Sequence, residues 1–549
     1  MNLITASDKW GTKEQLTELL TRLVAFDSIT GTEAEIAVAN HIVKELRSLS
    51  YFQKNVDHLQ LHPTEDGRKI VTALVKNDEN MKDTVILVSH FDVVSVEDYG
   101  VWQQSAFDVE TLTKSFYEKK DILPTDVQND LEQGKWLFGR GTMDMKCGLV
   151  AHMAMIEKAI SGQIKGNILL LSVCDEEVNS VGMRNAAPIL LKLAEKHNLQ
   201  YKACLNSEPM FTRHPGDQEK YIYTGSIGKV LPGFFCYGKE SHVGEPFSGL
   251  NANYMASEIT SLLELNTEFC EVVEGEATPA PTNLIQKDLK TEYSVQTPHR
   301  AVTLFNLFLM ERPLSHVVDQ LQSLAKNAAR KIETKYKNQA ANFAKLEKCH
   351  SGEIGINVLT YEELLKHAIQ TYGLEKVSRI EEDIRETGNG KKDDRDVTIH
   401  LVDQMASLCK DLSPMIVLFF SPPFYPAVSS IDNSVINKVV HEVIKHAKYQ
   451  HGVSLKPQNY FPGMSDLSYT GLPQSVDSLS LLITNMPLWG KEYSLPLKEL
   501  EELNLPVLNI GPLGKDAHKW TERLEINYSF DVLIDLLQKA ISRLLATSQ

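Results

Sequence analysis

Apolar and polar positions along the first 225 residues follow two rhythms. The stretch "TEAEIAVANHIVKEL" sets Ile36, Ala39, Ile42 and Leu46 at helical spacing, with Thr32 and Glu35 placed as a capping box ahead of them. The uninterrupted runs "KIVTALV", "TVILVSH", "GNILLLSV" and "KACLNSE" predict strands buried on both faces, and segments 146–160 and 181–197 predict helices between them. Such alternation predicts an α/β fold with a mixed, mostly parallel sheet between helices.

Near Gly225 the rhythm changes. "GKVLPGFFCYGK", a helix from about Asn251, the turn-rich "EGEATPAPTN", the strand "HRAVTLFNLFLM" and a long polar helix after Pro313 predict a smaller α+β unit, inserted into the first. Residues 350–412, including "ETGNGKKDDRD", predict helices around a solvated loop, and "PMIVLFFSPPFYP" predicts a return to a sheet. "SLSLLIT" and "LPVLNIG" then read as strands and "FDVLIDLLQKAISRLL" as a closing helix. The expected organisation is a first domain at 1–227, an inserted domain at 228–426 with an extension around 350–412, and completion of the first domain by 427–549.

A chain of 549 residues exceeds what one core organises, which agrees with two domains. A formal charge of -16 with no basic patch argues against nucleic acid as a partner. Cys147, Cys174, Cys204, Cys236, Cys270, Cys349 and Cys409 are scattered and include no Cys-x-x-Cys pair, so they predict reduced, mostly buried thiols rather than disulfides or a thiolate metal cluster. The amino terminus does not have the pattern of a leader peptide and no apolar run is long enough to span a bilayer, so a cytoplasmic protein without membrane contact is expected.

Chemistry gathers where the predicted strands end. "ILVSHFD" delivers His90 and Asp92, "GRGTMDMKCG" delivers Asp144 at a helix mouth, "LSVCDEE" delivers Glu176 and Glu177, and "CLNSEP" delivers Glu208. In open α/β sheets ligands bind beyond the carboxyl ends of the strands. Adjacent carboxylates at the end of a buried strand repel one another and need a counter-charge. Imidazole with carboxylate suits zinc, and more loosely cobalt or manganese, better than calcium or magnesium. "LNIGPLGKDAHKWTE" supplies a second imidazole, His518, after a strand and a glycine-rich turn. Asp92, two residues from His90 on an extended segment, is placed to bond the second ring nitrogen and fix its tautomer.

The blocks "SHFDVV", "GRGTMDMKCGLVAHM", "CDEEVNSVGMRNA", "NSEP", "GKESHVGEPFSGLNANYMASEI" and "GPLGKDAHKWTE", in that order over nearly the whole chain, resemble the co-catalytic zinc exopeptidases and amidohydrolases. That family includes carboxypeptidase G, aminoacylase, acetylornithine deacetylase and succinyl-diaminopimelate desuccinylase. The resemblance implies two zinc ions, with cobalt or manganese as substitutes. Asp144 would bridge them, His90 and Glu208 completing one ion's protein ligands and Glu177 and His518 the other's. It further implies that a metal-activated water attacks an amide carbonyl with Glu176 as general base, that Asp92 orients His90, and that His242 of the inserted lid domain donates to the oxyanion. A cis peptide after Asp144 and close helix packing at Gly148 belong to the same pattern.

What the resemblance implies for the substrate is a dipeptide or N-acyl amino acid. In length and in stretches such as "NYFPGMSDLSY" the chain resembles an arginine-utilisation member of that family, which implies a place in arginine or related amino-acid catabolism. Relatives clamp a substrate carboxylate with arginines where this chain has Phe308, after Asn306 and Leu307, and Ser468, beside a retained Asp466; Arg312 lies four residues beyond Phe308. A homodimer through the lid domain is implied, unless residues 350–412 cover that surface within a monomer. The competing reading is a non-catalytic, metal-dependent binding protein on the same scaffold. Dinucleotide binding through "GRGTMD" is disfavoured because Asp144 would repel a pyrophosphate, and "GMSDL" lacks the second glycine of a nucleophile elbow.

Overall fold

The computed structural model describes residues 8–78, 80–214, 216–347, 353–388 and 393–546. They fall into two compact units, one formed by residues up to 227, 427–473 and from 496 onward, the other by 228–426 and 474–495.

The first unit is built on an eight-stranded mixed sheet with the order Leu59–Pro63, Lys69–Val75, Asn167–Val173, Asp83–His90, Gln200–Asn206, Val507–Asn509, Tyr221–Tyr223, Lys456–Gln458. Its centre is parallel: Asp83–His90 runs alongside Asn167–Val173 on one side and Gln200–Asn206 on the other, and Val507–Asn509 continues in the same direction. All seven residues of Asn167–Val173 are buried, as a strand covered on both faces requires. Helices Lys13–Val24, Glu33–Arg47, Lys146–Ile160, Ser434–His451 and Leu533–Ala546 contribute to the same hydrophobic core. Helix Lys146–Ile160 is buried on nearly every face. Gly148 lets it approach the sheet, since a Cβ there would stand 2.5 Å from the Ser207 carbonyl oxygen.

In the second unit a five-stranded sheet has the order Thr282–Asp288, Arg300–Leu309, Gly228–Tyr237, Met415–Tyr425, Asn357–Thr360. Only the last pair is parallel. Every position of Met415–Tyr425 is buried. The extension consists of helices Tyr361–Tyr372, Leu374–Gly388 and Asp394–Leu408, which pack Leu364, Val377 and Val402 into this unit's core. Residues 389–392 of the expected solvated loop lie outside the described residues.

Two local expectations give way. Residues 478–484, read as a strand, form a 3-10 turn and a short helix, Val476–Leu479 and Ser480–Thr484, because Leu479 and Leu482 are buried at a spacing of three. Thr32 precedes helix Glu33–Arg47 without capping it through its side chain: the Thr32 hydroxyl donates to the Ile29 carbonyl, and Glu35 is drawn inward by stronger partners. The described cysteines are free and buried apart from half-buried Cys270, while Cys349 lies outside the described residues. Among the described residues no helix is long and apolar enough to cross a membrane.

Candidate active site

The parallel strands of the first unit end together, and their last residues carry the polar chemistry. His90 is the final residue of Asp83–His90, fully buried. Its Nδ1 lies 3.1 Å from the Asp92 carbonyl oxygen and 3.5 Å from the Asp92 carboxylate, which assigns the proton to Nδ1 and turns Nε2 away from them. Nε2 stands 3.5 Å from Asp144 Oδ1, 3.6 Å from Glu208 Oε1 and 3.9 Å from Glu176 Oε2.

Asp144 follows a turn whose amides are tied from a distance: Gly141 and Met143 N–H donate to Glu522, which also accepts from buried Arg140. The Asp144–Met145 peptide is cis. The second Asp144 oxygen lies 3.3 Å from His518 Nε2, and His518 Nε2 is 3.1 Å from the Glu177 carboxylate. His518 sits on a left-handed backbone at φ 62°, in a loop that Arg523 fixes by pairing with Asp516 and Asp130. Ligand atoms of His90, Asp144 and Glu177 all lie within 4.8 Å of one another.

The turn after Asn167–Val173 is anchored at both ends. The Asp92 carboxylate accepts from the amides of Glu176 and Glu177 and from the Thr30 hydroxyl. Asp175, at φ 66°, accepts from Arg68 Nη1 at 2.7 Å and from Val181 N–H at 2.9 Å, while its own amide donates to Glu35 at 3.0 Å. Glu35 also accepts from Arg68 and Gly31. Glu208 is held by the backbone that carries it: Asn509 donates to its carbonyl, and a Cβ on Gly511 would come within 1.7 Å of that oxygen.

Charge at this sheet edge is out of balance. Burial, with Glu208, Asp466 and Glu177 nearby, holds the Glu176 carboxyl well above the usual range, and burial with Asp144 and Asp466 does the same to Glu208. Burial pushes Asp466 up to about 8, and among the described residues neither of its oxygens has a hydrogen-bond partner. Burial opposes charge on the imidazoles, yet the surrounding carboxylates push His518 up to about 11 and raise His90 strongly. His90 Nε2 and Glu208 Oε1 are buried without a hydrogen-bond partner among the described residues. Unpartnered imidazole nitrogen and carboxylate oxygen directed at one spot form a donor set that fits a divalent cation of the zinc class.

The structure thus brings His90, Asp92, Asp144, Glu176, Glu177, Glu208 and His518 together in one unit. His242 belongs to the other unit, on an exposed turn where its Nδ1 accepts from Gly244 N–H. Arg312 is committed within that unit to Gln320, the Cys270 carbonyl and the neighbourhood of Glu271, so it is not a free carboxylate clamp. Phe308 is half-buried, and Ser468 is buried with its hydroxyl 3.5 Å from that of Ser226. Glu35, read from the sequence as a capping partner, instead holds the catalytic turn. Arg68, Arg140 and Glu522 have no place in the sequence reading. Their only signal there is charge within otherwise apolar or glycine-rich surroundings, which does not distinguish them from surface residues.

Residues 86–485 match the model of peptidase family M20/M25/M40. The chain is 50% identical to YqjN of Bacillus subtilis (strain 168), covering 98% of each chain. It is 33% identical to Protein RocB of the same organism, over 97% of this chain and 95% of RocB. Among solved structures, the M20 family metallo-carboxypeptidase Sso-CP2 from Sulfolobus solfataricus superposes with a TM-score of 0.54 at 14% identity, over 96% of this chain and 99% of that one, a likeness of fold. With the family model spanning most of the chain and a full-length relative above thirty per cent identity, this protein belongs to peptidase family M20/M25/M40, metal-dependent hydrolases of amide and peptide bonds.

Proposed function

We propose that the protein hydrolyses an amide bond in a small amino-acid-derived substrate, a dipeptide or an N-acyl amino acid, with two zinc-class cations held by His90, Asp144, Glu177, Glu208 and His518. The observation that carries this reading is the approach of those five side chains to one another at one sheet edge, buried at His90, Asp144 and Glu208 and open at His518, with Glu176 beside them. Cations bound there would polarise the scissile carbonyl and lower the pKa of the attacking water.

The chain's own residues do the rest. Glu176 takes the proton from the attacking water and delivers it to the leaving nitrogen, a role that typically contributes 10²–10⁴-fold, as an order of magnitude. Glu176 Oε2 stands 3.9 Å from His90 Nε2, beside the ligand set, where the carboxyl can hold that proton between the two transfers. Asp92 is a positioning residue: its backbone carbonyl accepts from His90 Nδ1, with its carboxylate 3.5 Å from the same nitrogen, and that carboxylate also accepts from the Glu176 amide. His242 is assigned the oxyanion contact. Phe308 and Ser468 at the usual arginine positions, with Arg312 engaged elsewhere, support a substrate held without the usual carboxylate clamp. The resemblance of the sequence to an arginine-utilisation member, with 33% identity to Protein RocB, supports a substrate from arginine or related amino-acid catabolism.

The test is Glu176→Gln in a zinc-reconstituted screen of dipeptides and N-acyl amino acids. Loss of about 10²–10⁴-fold in kcat, with metal content unchanged, is expected. Wild-type protein that binds metal but hydrolyses nothing in the panel would turn the assignment toward a binding role.

A further inference from the structure

Away from the active-site cluster, two helices of the first unit meet at a second group of metal-ligating side chains. His446 and His451 lie in the last turns of helix Ser434–His451, and Asp535 lies in the first turn of Leu533–Ala546. Both imidazoles direct Nε2 at the same carboxylate oxygen, Asp535 Oδ2, at 2.6 Å from His446 and 2.7 Å from His451. The histidine side chains are 23% and 22% exposed and that of Asp535 42%, so the group is open to solvent and ions.

Ordinary helix geometry does not produce this convergence. Residues five apart stand roughly 140° apart around a helix. His451 meets His446 because it is the last helical residue, after which Gly452 turns the chain at φ 66°. The carboxy-terminal end of the helix also carries the negative end of its dipole, which favours a cation.

We propose that His446, His451 and Asp535 form a surface site for a zinc-class divalent cation, distinct from the catalytic centre, that clasps the carboxy-terminal helix to its neighbour. Two imidazoles with one carboxylate exclude calcium and magnesium as preferred guests and suit zinc, with water in the fourth position. The ligand atoms already lie within 4.8 Å of one another. Around tetrahedral zinc with bonds near 2.0–2.1 Å they stand about 3.4 Å apart. From 2.6 Å the Asp535 oxygen therefore withdraws by about 0.8 Å, within reach of a small rotation of a partly exposed side chain. The clasp supplements the Arg543–Glu442 ion pair, at 2.6 Å, between the same two helices, and the burial of Leu533, Leu536, Leu537, Ala540, Ile541 and Leu544.

The alternative is a hydrogen-bonded His–Asp–His cluster that needs no ion, and zinc stoichiometry separates the two. Zinc-loaded holoenzyme, dialysed against a low concentration of free zinc, is compared by elemental analysis with the His446→Gln/His451→Gln double variant and with Asp535→Asn. Wild type should retain one zinc equivalent more than either variant, while the rate of amide hydrolysis stays the same in all three. Added zinc should raise the thermal midpoint of wild type more than that of the variants. Equal zinc content in all three proteins overturns the proposal, and Asp535→Asn decides the question should the double variant misfold. Because the count is made on enzyme with its catalytic metals present, a failed active-site assignment and a failed clasp give different results.

Discussion

Arg68 is the residue whose removal tests how the catalytic turn is held. Its guanidinium, 12% exposed, donates to Glu35 and Asp175, whose side chains are 0% and 3% exposed, and to the more open Asp66. Arg68→Met keeps much of the side-chain volume and removes the charge. Breaking a buried ion pair by deleting one partner costs about 3–5 kcal/mol. Here the lower end applies, because Glu35 keeps the Gly31 and Asp175 amides and Asp175 keeps that of Val181. A loss of about 3 kcal/mol is expected in urea denaturation followed by tryptophan fluorescence, which reports chiefly on the first unit, where Trp10, Trp102, Trp136 and Trp520 lie, with Trp489 in the other. Activity should fall as well, since Asp175 anchors the turn bearing Glu176 and Glu177, and a displacement of about 1 Å at a reacting group can cost on the order of 10²-fold in kcat. Arg68→Lys, whose donors all sit on one nitrogen where the guanidinium forks between acids, should recover stability in part but activity less. A stability change below about 1 kcal/mol together with unchanged kcat would refute the idea that this network carries the turn.

Three more outcomes follow from the geometry. Gly511→Ala sets a Cβ 1.7 Å from the Glu208 carbonyl oxygen, so it should destabilise by about 3 kcal/mol or more and weaken metal retention; a stable variant with full metal content contradicts the packing. Chelation should lower the thermal midpoint of the first unit, and zinc at about a thousand times its Kd should restore about 4 kcal/mol; an unchanged midpoint would show that the acids at the sheet edge need no cation. Buried His152, bonded to the Ser207 hydroxyl, is pushed by burial down to about 3. Its folded pKa lies below the unfolded 6.5, so the unfolded chain binds the extra proton and stability falls as pH drops from about 6.5 toward 3, by about 1.4 kcal/mol per unit. His152→Asn should flatten that slope in denaturation between pH 4.5 and 6.5, and an unaltered slope would count against the buried neutral ring.

Much of this architecture was legible because apolar runs and the chemistry at their ends are both local in sequence. "TVILVSH" ends in His90, "GNILLLSV" runs into Glu176, and "KACLNSE" into Glu208; parallel pairing then brings such ends to one edge. What depends on partners distant in sequence was not legible. Glu35 has the spacing of a capping partner for Thr32, but Arg68 and the Asp175 amide, 33 and 140 residues away, compete for it and win. Residues 478–484 are too short a run for periodicity to separate strand from helix, and the burial of Leu479 and Leu482 decides it. The partners of Arg312, among them Cys270 and Glu271, lie some forty residues upstream.

The three adjacent acids of "CDEE" show why the distinction matters for function. Asp175 is paired with a permanent cation, Arg68, and its backbone amide is bound by Glu35, so it serves the fold. Glu176 and Glu177 lie one and two residues further on, where the left-handed conformation of Asp175 redirects the chain toward His90 and His518. Imidazoles are weaker and titratable partners, and a histidine serving as a metal ligand contributes no positive charge at all. The turn therefore divides its charges: one acid is matched within the protein so that the next two can meet a charge from outside it. Substituting Asp175 should loosen the turn, whereas substituting Glu177 should change metal affinity and leave the turn's anchors, Arg68 and Asp92, in place.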